Sequence, residues 1–428
     1  MSASKNSDHC SVFKTKPNKH IWIVNHFATP PDSPGGTRHY DFAVELAKYG
    51  YDVTIFASDF NYMTRQRRPK HIDNKEKNFR FVWIWTTGYK SNNWLRLLNM
   101  LSYSIGFILH GLLHKRPDVI IGSSPHLFAA LAACLMAKIR RCTFILEIRD
   151  LWPQVLVDMG AAKEGSLIIR LLRRIERYLY KNAEKIIILS RGMIDYLSRY
   201  NISEDNIIFL PNGVYLKEFK ITEDRKSIRK SLELEGKFVV MYTGAHGPAN
   251  GLDTILNAAR LCIGEIKEVV FVLIGDGPVK HNLIKRVNDE SLSNVCMLPS
   301  ISKQQLPNLL NAADALIITL RDIPLFSYGV SPNKLFDYMA SEKPVICAIR
   351  GETAKLVESA KAGIVIEPVN PEAIIAAVSK LKADNKLCRY YGKNGRMFVE
   401  ENYSRTDIVK KLIDILNKCL DPDIPKHV

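Results

Sequence analysis

The eight cysteines, Cys10, Cys134, Cys142, Cys262, Cys296, Cys347, Cys388 and Cys419, include no CxxC pair. That absence excludes a cysteine zinc site and a disulfide framework, and it fits a reducing compartment. The N-terminus, MSASKNSDHCSVFKTKPNKH, lacks the apolar segment of a secretory signal and reads as a disordered tail over 1–19. There is no GxGxxG fingerprint and no DxD motif placed to hold a metal. No basic stripe is interleaved with aromatics as in DNA- or RNA-reading domains, so nucleic acid is not an expected partner. Long apolar runs are scarce too. The one candidate, Trp94 to Leu113, carries no charge after Arg96 but is interrupted by Asn99, Ser102, Ser104 and His110. It is short and polar for a membrane span, which takes ~20 mainly apolar residues.

Acidic residues are in deficit, mostly in one half. Of a net charge of +16, residues 1–210 contribute +12, with 30 Lys and Arg against 18 Asp and Glu. A basic half implies an anionic partner such as an acidic membrane surface, or serves solubility alone. At 428 residues, 46% of them hydrophobic, the chain exceeds one ordinary domain and can fill two cores.

His20 to Asn25 reads as a short buried strand, followed by a turn-rich loop ending in Gly35-Gly36. Thr37 is placed to cap a helix over Arg38 to Tyr49, which Gly50 stops. With the strand Tyr51 to Ala57 this is the opening of a doubly wound α/β sheet. Gly35-Gly36 either lets backbone amides approach a phosphate or sugar or simply turns the chain. Residues 61–80 form a basic loop. In Trp94 to Leu113, Leu98, Leu101, Ile105, Ile108 and Leu112 recur at helical spacing. This is either a core helix or one that dips into a leaflet between Lys90, Arg96, Lys115 and Arg116. Strands Val119 to Ile121 and Cys142 to Ile148 end in SSPH and RDLWP. Polar groups just past the C-terminal ends of parallel strands sit where open α/β sheets bind ligands. That position nominates His126, Arg149 and Asp150. Leu167 to Tyr180 is a basic amphipathic helix. Residues 215–236 are charged and lack strand character, which marks the linker.

A second βα series starts at Phe238, with the loop Thr243-Gly244-Ala245-His246-Gly247-Pro248-Ala249-Asn250-Gly251 after its first strand and Gly275-Asp276-Gly277-Pro278 after its second. Its centre is Ser327 to Ala340. Ala315 to Leu320 is a buried strand, and Ser331-Pro332 opens a helix as cap and first-turn residue. A helix N-terminus is a ready anion site. Lys334 adds a full charge, and Asp337, three residues on, shares its face. Cation and amides suit a diphosphate, and the carboxylate suits ribose hydroxyls.

The segments HFATPPDSPGGTRH, EIRDLWPQ, LPNGV, YTGAHGPANGLD, LIGDGP and SPNKLFDYMASEKPVI, over about 20–420, together resemble the family 4 glycosyltransferases of GT-B architecture. The resemblance is to the branch of bacterial fucosamine transferases of surface-polysaccharide assembly. It implies two Rossmann-like doubly wound α/β domains facing across a cleft. The expected division is an acceptor domain at 20–212, a linker at 213–236, a donor domain at 237–402, and a C-terminal helix in 403–428 packing back on the first domain. The implied activity is retaining transfer of an N-acetylated amino sugar, such as FucNAc or GlcNAc, from a UDP-sugar. The implied acceptor is a polyprenol-diphosphate-linked saccharide of O-antigen or capsule synthesis, used without a metal by a cytoplasmic enzyme peripheral to the inner face of the plasma membrane.

Residue by residue, Asp337 matches the carboxylate that holds the donor ribose. The family's other acidic residue, eight positions earlier, falls on Gly329, and its diphosphate-binding Lys falls on Asn250. Donor-sugar contacts then come from Ser331, Pro332 and Asn333. Lys334 and Arg321 are the cations left to stabilise the departing diphosphate. Gly35 and Gly36 match the glycine loop that reaches the donor from the first domain, and His246 and Gly247 lie in the donor loop of the second. Asp150 falls beside the transferred sugar, to accept or orient the acceptor's proton; His126 and Arg149 are on the acceptor side. The two departures keep open a catalytically silent membrane scaffold, and the same architecture serves nucleotide-sugar hydrolases and epimerases.

Overall fold

The computed structural model describes residues 19–68, 78–89, 94–266 and 268–420, so the expected tail over 1–19 lies almost wholly outside the described residues, as do Lys90 and the tip of the basic 61–80 loop. In the first half, β1 (His20–Val24), α1 (Arg38–Lys48), β2 (Asp52–Ser58) and β3 (Phe79–Ile84) are followed by α2 (Trp94–Leu113), β4 (Val119–Ser123), α3 (Leu127–Arg140) and β5 (Thr143–Ile148). Then come α4 (Gln154–Asp158), α5 (Leu167–Asn182), β6 (Lys185–Ile188), α6 (Met193–Leu197) and β7 (Ile207–Phe209). The seven strands are parallel in the order β3-β2-β1-β4-β5-β6-β7, so the order reverses between β1 and β4.

The second half contains α7 (Arg225–Ser231), β8 (Phe238–Thr243), α8 (Asp253–Glu265), β9 (Val269–Ile274), α9 (Lys280–Asp289), β10 (Val295–Leu298), α10 (Leu306–Asn311) and β11 (Ala315–Thr319). It continues with α11 (Asn333–Ala340), β12 (Val345–Ala348), α12 (Glu352–Ser359), β13 (Gly363–Val365), α13 (Pro371–Ala383), α14 (Asn385–Asn402) and α15 (Arg405–Leu420). Its sheet runs β10-β9-β8-β11-β12-β13 and reverses between β8 and β11. The two reversal points are where open parallel sheets bind ligands, and they face each other.

Period-two strands buried on both faces explain the layers. Trp22 and Val24 point to one side of the first sheet, into a core with Phe56, Tyr103, Phe107 and the alanines of α3. Ile21 and Ile23 point to the other, where Phe42 and Leu46 of α1 meet Ile408, Val409, Leu412 and Leu416 of α15. The last helix thus belongs by packing to the first sheet, although the chain reaches it from the second. The 213–236 stretch, read from sequence as a linker, holds a structured helix. In α7, Asp224 caps the first turn, Ile228 is buried in the second core, and Arg225 and Arg229 both pair with Asp314.

Helix α2 resolves the two readings of its sequence by doing some of each. Met100, Tyr103, Phe107 and Gly111 are buried against the sheet, while Ile105, Leu109, Leu112 and Leu113 face outward and are exposed. It is long and apolar enough to cross a membrane, yet one face is fixed in the core.

Leu412→Ala, at a fully buried position of α15, is expected to lower stability by about 2–5 kcal/mol, the usual cost of a large core truncation. Leu113→Ala, on the exposed face of α2, should stay within about 0.5 kcal/mol. Urea unfolding of the two variants checks this, and equal small effects would mean that α15 is not part of the first core.

Candidate active site

The cavity between the sheets measures ≈ 250 Å³ and is lined from both domains. The first contributes Gly35, Gly36, Thr37, Tyr62 and Met63, and the second contributes Gly244, Ser302, Lys303, Asn333, Lys334 and Asp337. Ligand pockets usually measure roughly 300–1,000 Å³, so the enclosed part of this cleft lies just below that range. Across it, a Cβ at Gly36 would stand 3.4 Å from Asn333 Nδ2.

Helix α11 starts at Asn333, not at Ser331. Pro332 is the extended cap residue, and no side chain bonds the first-turn N–H groups. Ser331 therefore does not cap; its carbonyl accepts a hydrogen bond from Asn212 Nδ2 at 2.6 Å. The uncapped helix end keeps its donors for an anion, and the buried Asn333 Oδ1 has no partner.

Lys334 projects deep into the cavity. Its Nζ donates to the Tyr242 hydroxyl at 2.7 Å and to Asn250 Oδ1 at 3.3 Å, and it lies 4.0 Å from the Tyr242 ring centroid. No carboxylate is among these partners, and burial lowers its pKa to about 7. Asp337, buried one turn on, forms an ion pair with Lys303. Sequence reasoning missed Lys303, Tyr242 and Arg405, all at this cavity or its wall. Lys303 was discoverable: it follows the C-terminal end of β10, the same positional signal that nominated His126.

The remaining nominated residues divide. His246 is buried next to the cavity-lining Ala245, and neither ring nitrogen has a partner. Burial, with the charges of Lys280 and Lys334, drops its pKa to about 4, so it is neutral. Gly247 sits in the same loop and does not line the cavity. Arg321 stands apart. It is exposed, its backbone N–H bonds the Ala249 carbonyl at 2.9 Å, and it lines a separate cavity with Asp322 and Arg350. The structure does not bring Arg321 to Lys334: the two line separate cavities.

On the first-domain wall, His126 is the cap of α3. Its Nδ1 accepts from Ala129 N–H, and its Nε2 lies 2.7 Å from His26 Nδ1. It is wholly buried, and burial pushes its pKa to about 3. Arg149 is half-buried just past β5. Asp150 is exposed and does not line the cavity; the surrounding protein raises its carboxyl against the pull of Arg149 and Arg96. Thr37 occupies the cap position of α1 as expected, but its hydroxyl makes no cap bond and donates to Asp41 instead, at 2.9 Å.

A buried ionic group holds the Gly35-Gly36 loop. Arg38 donates to Glu147 through Nε (2.8 Å), and to the Pro211 and Leu210 carbonyls at 2.6 and 2.8 Å. His39 Nε2 lies 2.7 Å from the other Glu147 oxygen and Nδ1 2.7 Å from Asn25 Nδ2. Burial alone would raise Glu147, but His39 and Arg38 hold it well below the usual carboxylate range. Arg405 of α15 pairs with Asp41 and the Gly213 carbonyl. Among the described residues, no group of three or more His, Cys, Asp or Glu is gathered as metal ligands would be.

The chain is similar to known proteins in both sequence and fold. The family of glycosyl transferases group 1 matches residues 224–398, and the glycosyl transferase 4-like domain matches 35–213. The putative colanic acid biosynthesis glycosyl transferase WcaI of Escherichia coli K12 is 27% identical over 324 residues, 72% of this chain and 78% of the relative. Among solved structures, sucrose-phosphate synthase from Thermosynechococcus elongatus superposes with a TM-score of 0.75 at 18% identity, over 94% of this chain and 99% of that one. Anabaena HepE in complex with UDP-glucose gives 0.71 at 14% identity, over 93% and 99%.

A lysine with a pKa of about 7 is charged in both free and bound states below that pH. Above it, the free side chain is neutral, and an anion bound beside it must bring a proton in. Pyrophosphate binding is therefore expected to weaken as pH rises above about 7, with proton uptake seen by calorimetry in buffers of different ionisation enthalpy. In Lys334→Met this uptake should vanish. Uptake that persists in the variant would take Lys334 out of the anion site.

Proposed function

The chain belongs to the family 4 glycosyltransferases, and on that premise we propose that it moves a sugar from a UDP-sugar to a lipid-linked saccharide in surface-polysaccharide synthesis. The observation that carries the reading is the uncapped N-terminus of α11, with Lys334 and Asp337 on one face and the Gly35-Gly36 loop opposite. The UDP-glucose complex of the similarly folded HepE and the colanic acid role in the name of WcaI support the donor and the pathway class.

In this proposal Asp337 accepts hydrogen bonds from the ribose hydroxyls, with Lys303 fixing its carboxylate. The diphosphate lies against the α11 amides and Lys334. As the bond from the anomeric carbon to the phosphate oxygen breaks, the electron pair goes to the departing UDP, where Lys334 and the amides meet the growing charge without a metal. The acceptor oxygen bonds the same face of that carbon, and its proton passes to the leaving phosphate. Asp150 orients the acceptor hydroxyl. The transferred sugar is an N-acetylated amino sugar such as FucNAc or GlcNAc.

The enzyme works from the cytoplasmic face of the plasma membrane. Helices α2, α3 and α5 pack side by side. They expose Ile105, Leu109, Ile139, Leu167 and Leu171, with Lys115, Arg141, Arg170 and Arg174 also exposed on these helices and their ends. Apolar insertion and basic charge are the two signals that stable surface binding needs.

Three measurements test this. Asp337→Ala should weaken UDP binding roughly 10- to 150-fold, the worth of charge-assisted hydrogen bonds, with the melting curve intact; unchanged affinity removes Asp337 from the site. Incubation with UDP-sugars and polyprenol-diphosphate saccharides, read by product mass and anomeric NMR, should give a retained linkage; sugar release without acceptor would make the chain a hydrolase. The protein should float with anionic liposomes at low salt and less at high salt. If it stays with the soluble fraction under both conditions, the acceptor is soluble.

A further inference from the structure

A second cavity, of ≈ 1080 Å³, lies on the first domain and shares no lining residue with the one between the sheets. It is a groove between the C-terminal half of α5 and the stretch that leads from α6 to β7. Arg173, Arg177 and Lys181 form one wall, and Arg199, Tyr200 and Asn201 stand in the other. The three basic residues of α5 recur every fourth position, so they make one stripe with about 6 Å between steps along the axis. Leu171, on the exposed apolar surface shared with α2 and α3, is two residues from Arg173 and thus about 200° around the axis. The groove therefore opens on the flank of α5 that faces away from the apolar surface.

The groove is basic because the carboxylate beneath it is already met. Glu176, wholly buried, accepts from the Tyr180, Tyr196 and Tyr200 hydroxyls at 3.0, 2.8 and 2.6 Å. Arg173 lies 3.6 Å from the same carboxylate and pairs with Glu164 at 3.2 Å. Among the described residues, Arg177, Lys181 and Arg199 form no ion pair, and all three are exposed. Glu184 is the one carboxylate among the described wall residues; Glu204 and Asp205 sit in the turn between the wall residues Ser203 and Asn206, outside the wall. One end of the groove meets the second domain. Arg199 donates to the Tyr328 hydroxyl and stands 5.1 Å over that ring, and the Tyr196 and Tyr328 rings are 5.8 Å apart. From Tyr328 the chain runs directly to the start of α11 at Asn333.

We infer that this groove is a distal acceptor subsite for an acidic saccharide, a chain carrying carboxylates or phosphates at intervals, whose reacting end enters the cleft beside Tyr328. This rests on the glycosyltransferase reading above. A single phosphate would fill little of a cavity at the large end of the roughly 300–1,000 Å³ range of ligand sites, and it would meet only part of a stripe that spreads its charge over about 12 Å of helix. Guanidinium forks match carboxylate and phosphate oxygens two at a time. Asn201, Ser203 and Asn206 in the facing wall offer amide and hydroxyl groups to sugar hydroxyls. Because the groove opens away from the apolar surface, its occupant is a saccharide rather than a lipid headgroup.

The test is calorimetry on the full chain with UDP saturating, so that the donor cavity is filled. The probes are trigalacturonic acid, maltotriose as a neutral chain of equal length, and inorganic pyrophosphate. Trigalacturonic acid should bind, less tightly as salt is raised, and maltotriose should bind about tenfold more weakly or not at all. Arg177→Met and Lys181→Met should each weaken the acidic saccharide, and the double variant should weaken it about tenfold or more, as expected for lost charge-assisted hydrogen bonds. Arg177→Lys keeps the charge but loses the fork, and it should fall between wild type and Arg177→Met. Both side chains are exposed, and UDP binding by the same variants reports that they are folded. Equal binding of maltotriose, or a double variant that binds like wild type, would overturn the subsite. Pyrophosphate binding as tight as trigalacturonic acid would overturn the saccharide and leave a simple anion site. If the variants lose trigalacturonic acid but no saccharide is ever glycosylated, the transferase reading fails and the groove stands.

Discussion

The arrangement of the two domains depends on one buried ionic knot. Arg38, wholly enclosed, is neutralised by Glu147 and spends its other donors on the carbonyls of Leu210 and Pro211, where the chain leaves the first sheet. Three residues along α1, Asp41 takes Arg405, where the chain comes back. Burying such charges is costly unless each is paired and its remaining hydrogen bonds are met, and removing one partner is costlier still. Here nearly every donor is assigned, Arg405 Nε being the exception. The knot therefore fixes the start of α1, and with it the Gly35-Gly36 loop, relative to both chain crossings. The crossings are also tied to each other: Val214 N–H bonds the Tyr403 carbonyl at 3.1 Å, and Arg405 N–H bonds the Val214 carbonyl at 2.9 Å.

Away from that knot the domains touch both through polar contacts and through Leu325, Phe326 and Tyr328, which pack on the first core. Asn212 reaches the Ser331 carbonyl, Glu352 accepts from Ser190 and from Gly192 N–H, and Arg199 meets the Tyr328 hydroxyl.

Much of the fold was legible because parallel strands buried on both faces leave continuous apolar runs, as in Ile21–Val24 and Ala315–Leu320. Helix α2 was read to the residue, since its ends are set by charge. Residues 213–236 misled because α7 is held by charge pairing, Arg225 and Arg229 on Asp314, rather than by an apolar stripe. In the site, Asn333, Lys334 and Asp337 were readable because one helix end delivers all three. Lys303 and Tyr242 reach the same cavity only through the packing of distant strands. His126 shows the limit of position as a clue: a polar residue past a strand end is also where the next helix is capped. The roles of Arg38, His39 and Glu147 were invisible for a related reason. GGTRH and EIRD lie over a hundred residues apart, and only the sheet order that sets β5 two strands from β1 makes them one unit.

The two departures from the family pattern have structural counterparts. Gly329 has φ +90°, and a Cβ there would lie 1.9 Å from Ser190 Oγ, so no side chain fits. A carboxylate is nonetheless present: Glu352 Oε2, arriving from α12, stands 3.0 Å from that Cβ position. At Asn250, where relatives of the pattern carry a second cation, the amide oxygen instead accepts from Lys334 Nζ. A second lysine at that spot would repel Lys334, whose pKa burial has already lowered to about 7. With Asn250 the site keeps one cation, held by neutral oxygens and left electrostatically unsatisfied until an anion arrives. Such a group binds weakly where charge is spread and strongly where it concentrates, which is the preference a site for a departing diphosphate needs. The losses thus read as a redistribution of charge within a working cavity, and the silent-scaffold alternative loses the observation that raised it.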